Sequence, residues 1–311
     1  MHDFFQFCIK IYIIMSNKFK KWISLLLLSF IWGSSFILIK KGLLGLTPLQ
    51  LGSFRIVISA LIIFIIGFRT LRGLNKIQWK WLALSGFLGS FFPSFLFAYA
   101  ETQIDSAIAS ILNSLVPLNT VVLGYILFKI KSNGFQISGV IIGFIGAVIL
   151  ILEGAELNPN QIYSYSGLII LATLMYAANV NIIKRHLNEV LPLAIAMANF
   201  VVIFIPAFLV LIFSGGFKPE TISNPSFFPA IGCVLLLSLF GTALAKILFN
   251  NLIQISTPVF ASSVTYLMPF VALLWGFLDA EFFNFTQGIA VFIILSGIYL
   301  ANKKINKKTA I

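Results

Sequence analysis

The chain has 311 residues, of which 59% are hydrophobic and only 10% charged, against about 25% charged in a soluble domain. So few charges cannot cover a water-facing surface, which excludes a soluble globular protein and makes the bilayer the solvent for most of the chain. The net charge of +12 sits in short Lys/Arg clusters between apolar runs, a pattern of membrane orientation rather than of nucleic-acid binding.

Residues 1–14 (MHDFFQFCIKIYII) are apolar but short and contain Lys10. They read either as an upstream extension before a start at Met15 or as an interfacial segment, because no small-residue cleavage site precedes the next basic run. A spanning helix needs about 20 apolar residues. Ten segments meet or approach that length: Trp22–Ile39, Leu49–Phe68, Trp79–Ala100, Ile104–Phe128, Gln136–Leu152, Tyr165–Ile183, Pro192–Phe213, Phe227–Phe249, Pro258–Ala280 and Phe285–Ala301. They are continuously apolar rather than alternating, which favours helices over a barrel. The expected fold is an all-α integral membrane protein of ten transmembrane helices.

With the N-terminus in the cytoplasm, most of the 21 Lys and Arg fall on the inside, as orientation by positive charge requires. Lys40, Lys41 and Lys218 lie outside, and Arg55 and Lys246 lie within helices. Glu101, Asp105, Glu153, Glu156, Glu220, Asp279 and Glu281 also fall outside. Both termini are then cytoplasmic, with a basic tail at 304–311.

The chain also repeats itself. Ala109-Ser110-Ile111-Leu112-Asn113-Ser114-Leu115-Val116-Pro117 matches Ala261-Ser262-Ser263-Val264-Thr265-Tyr266-Leu267-Met268-Pro269 at an offset of 152. Twelve residues past each Pro stand Lys129 and Glu281, and Gln136 with Gln287 and Gly146 with Gly297 match at 151. Trp32 with Tyr176, Lys40-Lys41 with Lys184-Arg185, and Pro48 with Pro192 match at 144. Helices one to five (15–153) therefore resemble helices six to ten (164–303). Five is odd, so the second half enters the membrane with the opposite polarity. Such inverted repeats are common in secondary transporters.

Phe30-Ile31-Trp32-Gly33-Ser34-Ser35-Phe36, Phe54-Arg55 and the Ala-Ser-to-Pro stretches of helices four and nine are similar to motifs of the EamA family of the drug/metabolite transporter superfamily. The resemblance covers the chain from Met15 onward. It implies a ten-helix fold and export of amino acids or related metabolites. Phe128-Lys129-Ile130 stands where that family shows Gly-Glu, and Asp279-Ala280-Glu281 lacks the Gly. Both departures lie at membrane edges, where an effect on loop geometry is expected.

Trp32 and Ser35 share one face of helix one, and Tyr176 and Asn179 share the matching face of helix six. Aromatic walls with a few polar groups suit an organic solute, while packing and polar glue between helices is the alternative. Arg55 is an intramembrane cation, positioned either to bind a substrate carboxylate or to snorkel outward. Lys246, within a turn of the inner end of its segment, is expected to snorkel. Asn113 and Pro117, and in the second half Thr265 and Pro269, lie one turn apart. A mid-membrane Pro frees a carbonyl, which serves either as a substrate ligand or as a simple kink. Tyr266 is expected to line the same cavity, whereas Tyr99, near a helix end, suits an interfacial anchor.

Two Cys (Cys8, Cys233) and two His (His2, His186) cannot make a disulfide framework or a metal cluster, and neither His can form a buried catalytic set. No enzyme activity, cofactor or metal is expected. No Gly-rich nucleotide loop is present, so ATP is not used directly. No Asp or Glu lies mid-helix to relay protons. The leading expectation is a secondary transporter of small molecules, a monomer or homodimer in the lipid bilayer that binds no nucleic acid. A non-transporting scaffold or sensor is the alternative, and it predicts a closed apolar centre.

Overall fold

The computed structural model describes residues 16–129, 133–157, 162–279 and 284–301. The N-terminal segment 1–14, the tail 304–311, and Ile130, Ala280 and Glu281 of the two edge motifs lie outside them. All regular structure among the described residues is helical. This is what a bilayer demands, since its core offers no water to satisfy a backbone N–H or C=O.

The chain runs through α1 (Asn17–Gly42), α2 (Pro48–Gly67), α3 (Lys76–Ala100), α4 (Ser106–Phe128), α5 (Gly134–Leu157), α6 (Ser166–His186), α7 (Pro192–Phe213), α8 (Phe227–Ile255), α9 (Pro258–Leu278) and α10 (Phe285–Ala301). Among the described residues, 8 helices are long and apolar enough to cross a membrane. The other two, α5 and α10, carry the shorter apolar stretches Gly134–Gly146 and Gly288–Gly297. The chain is a multi-pass membrane protein.

Helix starts follow local chemistry. Thr47 and Gln50 form a capping box at α2, and Asn75 and Gln78 form one at α3, each satisfying orphan backbone donors of the first turn. Gln50 also donates from Nε2 to the Ser214 carbonyl at the end of α7, 3.0 Å away. The largest departure from the expected limits is at α8, which continues past Phe249 to Ile255. The polar run there is used inside the protein rather than in water. Asn250 donates to the Pro192 carbonyl at 3.2 Å, and Gln254 to the carbonyls of Leu187 and Val190.

Four helices are interrupted, in two matched pairs. α3 widens to a π-helix at Phe87–Phe91 and α8 at Leu237–Leu244. α4 breaks at Ser114–Leu115 and α9 at Ser263. Packing follows the same pairing. α1 lies on α9 as α6 lies on α4, α3 on α6 as α8 on α1, and α2 on α7, α4 on α9 and α5 on α10 face each other directly. Exchanging each helix with the one five places along leaves this pattern unchanged.

The α5–α10 contact runs through glycine. A Cβ on Gly297 would stand 2.5 Å from the Gly139 carbonyl oxygen and 2.6 Å from the Gly143 nitrogen. Only a residue without a side chain lets the two backbones approach this closely, the usual device for joining helices in lipid.

Candidate functional site

A cavity of about 100 Å³ lies between α1, α2, α3, α4, α6, α8 and α9. Pockets for drug-sized ligands usually begin near 300 Å³, so a larger solute requires these helices to separate. Trp32 and Ser35 of α1, Arg55 of α2, Asn113 of α4, Tyr176 and Asn179 of α6, and Thr265 of α9 all line it. The matched positions of the two halves thus meet around one space. Its walls are aromatic, with Trp32 edge-on to Phe249 at 4.9 Å between ring centres and Tyr176 stacked with Phe97 at 6.0 Å. Asn113 is buried, with Nδ2 3.7 Å from the Met268 sulfur. Its Oδ1 has no hydrogen-bond partner among the described residues.

Three expected lining residues are absent from the cavity. Tyr266 follows Thr265 by one position, which turns it about 100° around the helix. It is buried in a second apolar cluster with Ile111, Leu115, Ala290 and Ile294. Pro117 sits in the first turn of the restarted second half of α4, where an N–H would be unpaired anyway. Pro269 does lie inside its helix, but the carbonyl it frees, on Thr265, accepts a hydrogen bond from Ser114 Oγ at 3.1 Å. That carbonyl is structural rather than a free ligand.

Lys246 corrects a further expectation. It does not snorkel: it is 5% exposed, lines the cavity and donates from Nζ to the Gly89 carbonyl at 2.8 Å. The extension of α8 to Ile255 puts it more than two turns from the helix end. Gly89 makes the contact sterically possible, since a Cβ there would fall 2.7 Å from Lys246 Nζ and 2.5 Å from the Asn179 amide nitrogen. Arg55 does not reach outward either, and its Nε donates to Thr242 Oγ1 at 2.8 Å.

The π-helical segments supply lining residues that hydropathy does not reveal: Gly89 and Ser90 from α3, Gly241 and Thr242 from α8. In each segment a glycine carbonyl is held by a side chain from across the cavity. Lys246 holds Gly89, and Trp32 Nε1 donates to Gly241 at 2.8 Å. Wide turns of this kind recur at functional sites. The signal in the sequence is the Gly-Ser and Gly-Thr pair at matching places of helices three and eight.

Outside the cavity, Tyr99 is partly exposed near the end of α3. Asn181 bridges α6 to α4 by donating to the Thr120 carbonyl at 3.0 Å. His186 is exposed and stacks on Trp81. Among the described residues no group of three or more His, Cys, Asp or Glu could hold a metal ion. At the opposite end of the molecule, Asp279 is held by Lys41 at 2.5 Å and Lys40 at 3.1 Å.

Membrane-spanning helices around a hollow with aromatic walls and a few polar side chains fit a membrane transporter for small molecules. The chain belongs to the EamA-like transporter family, whose model matches residues 20–152 and again 164–303. The family and the relatives named as transporters make the chain a transporter and not an enzyme. An uncharacterized transporter of Archaeoglobus fulgidus is 27% identical over 293 residues, covering 92% of this chain and 99% of the relative. The uncharacterized inner membrane transporter YedA of Escherichia coli is 28% identical over 284 residues, 89% of each chain. PecM of Dickeya dadantii is 27% identical over 80% of each. A solved crystal structure superposes with a TM-score of 0.66 at 17% identity, covering 92% of this chain and 96% of the other, which shows a shared fold.

Proposed function

We propose that the protein is a secondary transporter that exports small metabolites, amino acids or related compounds, across the inner membrane by alternating access. In this reading ten helices span the bilayer as two inverted five-helix repeats, 15–153 and 164–303, with both termini cytoplasmic. The observation that carries it is the meeting of Trp32 with Tyr176, Ser35 with Asn179, and Asn113 with Thr265 around one cavity. The two matches of the family model and the exchange-invariant helix packing support the repeat. Inverted halves can trade conformations and open a shared site to either face in turn. A scaffold has no use for a polar, partly unsatisfied centre.

In the site so proposed, Trp32 and Tyr176 wall the solute, Ser35, Asn179 and Thr265 orient it, and Asn113 Oδ1 accepts from it. Reconstitution into vesicles, with loss of loaded metabolites followed over time, tests the reading. Asn113→Ala is expected to slow efflux while membrane insertion stays normal. Unchanged efflux in that variant removes Asn113 from the site, and no net solute movement by the unaltered protein removes the transporter mechanism.

A further inference from the structure

The cavity contains two basic side chains and no carboxylate among its lining residues. Burying a cation is costly unless an opposite charge or a full set of hydrogen bonds compensates it. Lys246 has three donors and Arg55 five. One on each is taken by a neutral acceptor, the Gly89 carbonyl for Lys246 and the Thr242 hydroxyl for Arg55. Glu101 acts on Arg55 through space, but it lies outside the lining and its carboxylate accepts from Ser106 Oγ. The other charged side chain in the lining, Arg55, has the same sign as Lys246.

This charge is not a by-product of the repeat. At the offset of 144 that relates helices two and seven, Arg55 faces Asn199. At the offset of 152 that aligns Gly89-Ser90 with Gly241-Thr242, Lys246 faces Ser94. Both counterparts are neutral. The two cations come from α2 and α8, helices that are also laced by Ser59 donating to the Ser238 carbonyl at 3.1 Å and Ser238 to the Arg55 carbonyl at 3.2 Å. The side chains are thus presented from a braced wall of a cavity that the rings of Trp32, Phe97 and Tyr176 also line.

We propose that the cavity selects organic anions, with a substrate carboxylate held between Lys246 and Arg55 and an apolar body against the aromatic wall. This rests on the transporter reading above and narrows its substrate class. A substrate carboxylate brings into the cavity a negative charge that the lining lacks, and charge-assisted hydrogen bonds to ammonium and guanidinium are the strong ones. An amine is repelled. Of the compounds proposed above, this favours related organic acids over amino acids themselves, whose ammonium meets two cations and no lining carboxylate.

The test uses the full-length protein in nanodiscs and three probes of one shape: benzoate, benzamide and benzylammonium. Binding is read by thermal shift and by titration of tryptophan fluorescence at neutral pH. Benzoate is expected to bind at least about tenfold more tightly than benzamide, the scale of a hydrogen bond to a charged group, with benzylammonium weaker than both. K246M is expected to reduce the benzoate preference to within about threefold and K246R to keep it. If K246M does not fold, the comparison of probes on the unaltered protein still decides. Equal binding of benzamide, tighter binding of benzylammonium, or no binding of benzoate overturns the proposal. Vesicle transport separates it from the parent reading. Benzoate that binds but is not carried leaves the anion site standing and counts against transport. Carriage of amines or neutral solutes with benzoate ignored leaves transport standing and sinks the anion site.

Discussion

Ser114 Oγ, at the break in α4, donates to the Thr265 carbonyl of α9 at 3.1 Å, and Thr265 is the residue whose carbonyl Pro269 deprives of its usual partner. One half of the molecule therefore satisfies the backbone defect of the other at the point where they touch. Ser114→Ala leaves that buried carbonyl unpaired. The expected cost is about 1 kcal/mol, read as a lower melting temperature in detergent, with Ser296→Ala, on the outer face of α10, unchanged as the control. An unaltered melting temperature in Ser114→Ala would show that the carbonyl finds another partner.

Gly89→Ala is expected to lower transport by about tenfold or more, the scale of one displaced hydrogen bond to a charged group. A methyl there would stand 2.7 Å from Lys246 Nζ and 2.5 Å from the Asn179 amide, so the lysine must leave the carbonyl it holds. Gly167→Ala, with nothing within 4 Å, is expected to transport normally. Vesicle uptake rates for the two variants check this directly.

Gly297→Ala should destabilise the protein by about 1–3 kcal/mol, the usual penalty for overpacking, because the added carbon meets backbone atoms of Gly139 and Gly143 rather than a yielding side chain. Thermal unfolding compared with Gly232→Ala, which meets nothing within 4 Å, isolates the effect. Equal melting temperatures would mean that α5 and α10 stand further apart.

The hydrogen bond from Lys41, with Lys40 adding its own, holds the Asp279 carboxyl below its usual range. A group depressed in the folded state stabilises the fold above its unfolded value, about 3.9 for Asp. That contribution disappears as pH falls through the lower folded value. The melting temperature of the unaltered protein should therefore exceed that of Asp279→Asn at neutral pH and converge with it below about pH 4. A gap that persists in acid would assign the stabilisation to packing.

Lys129 ends α4 in the left-handed region, with φ of 52°, where a side chain strains the backbone. Lys129→Gly is expected to raise stability by about 0.5–1 kcal/mol after the larger unfolded-state entropy of glycine is deducted. Calorimetry of the two proteins decides it.

Much of the cavity is legible from one chain because the chain repeats. Helical spacing selects the faces of Trp32 and Ser35, and the repeat then points to Tyr176 and Asn179 at the same depth. Asn113 and Thr265 emerge in the same way from the Ala-Ser-to-Pro stretches. Hydropathy misplaces Lys246, because it ends a helix at the first polar run, and Asn250 and Gln254 are spent on the carbonyls of a neighbouring turn instead of on water. It is also blind to a π-turn, which changes the ladder without changing composition, so Gly89 and Gly241 go unnoticed as wall residues. Tyr266 fails for the opposite reason: matching by sequence similarity ignores that one residue along a helix is a quarter-turn and more away from the face.

The glycine contact of α10 on α5 forms a seam set apart from the cavity, to which neither helix gives a residue. Backbone lies on backbone at Gly297, while beside it the Ile294 side chain fills the hollow over Gly146. At one end of the seam Asn284 ties itself to Glu153 at 3.0 Å. Changes along this seam therefore bear on how firmly the protein holds together rather than on what the cavity binds.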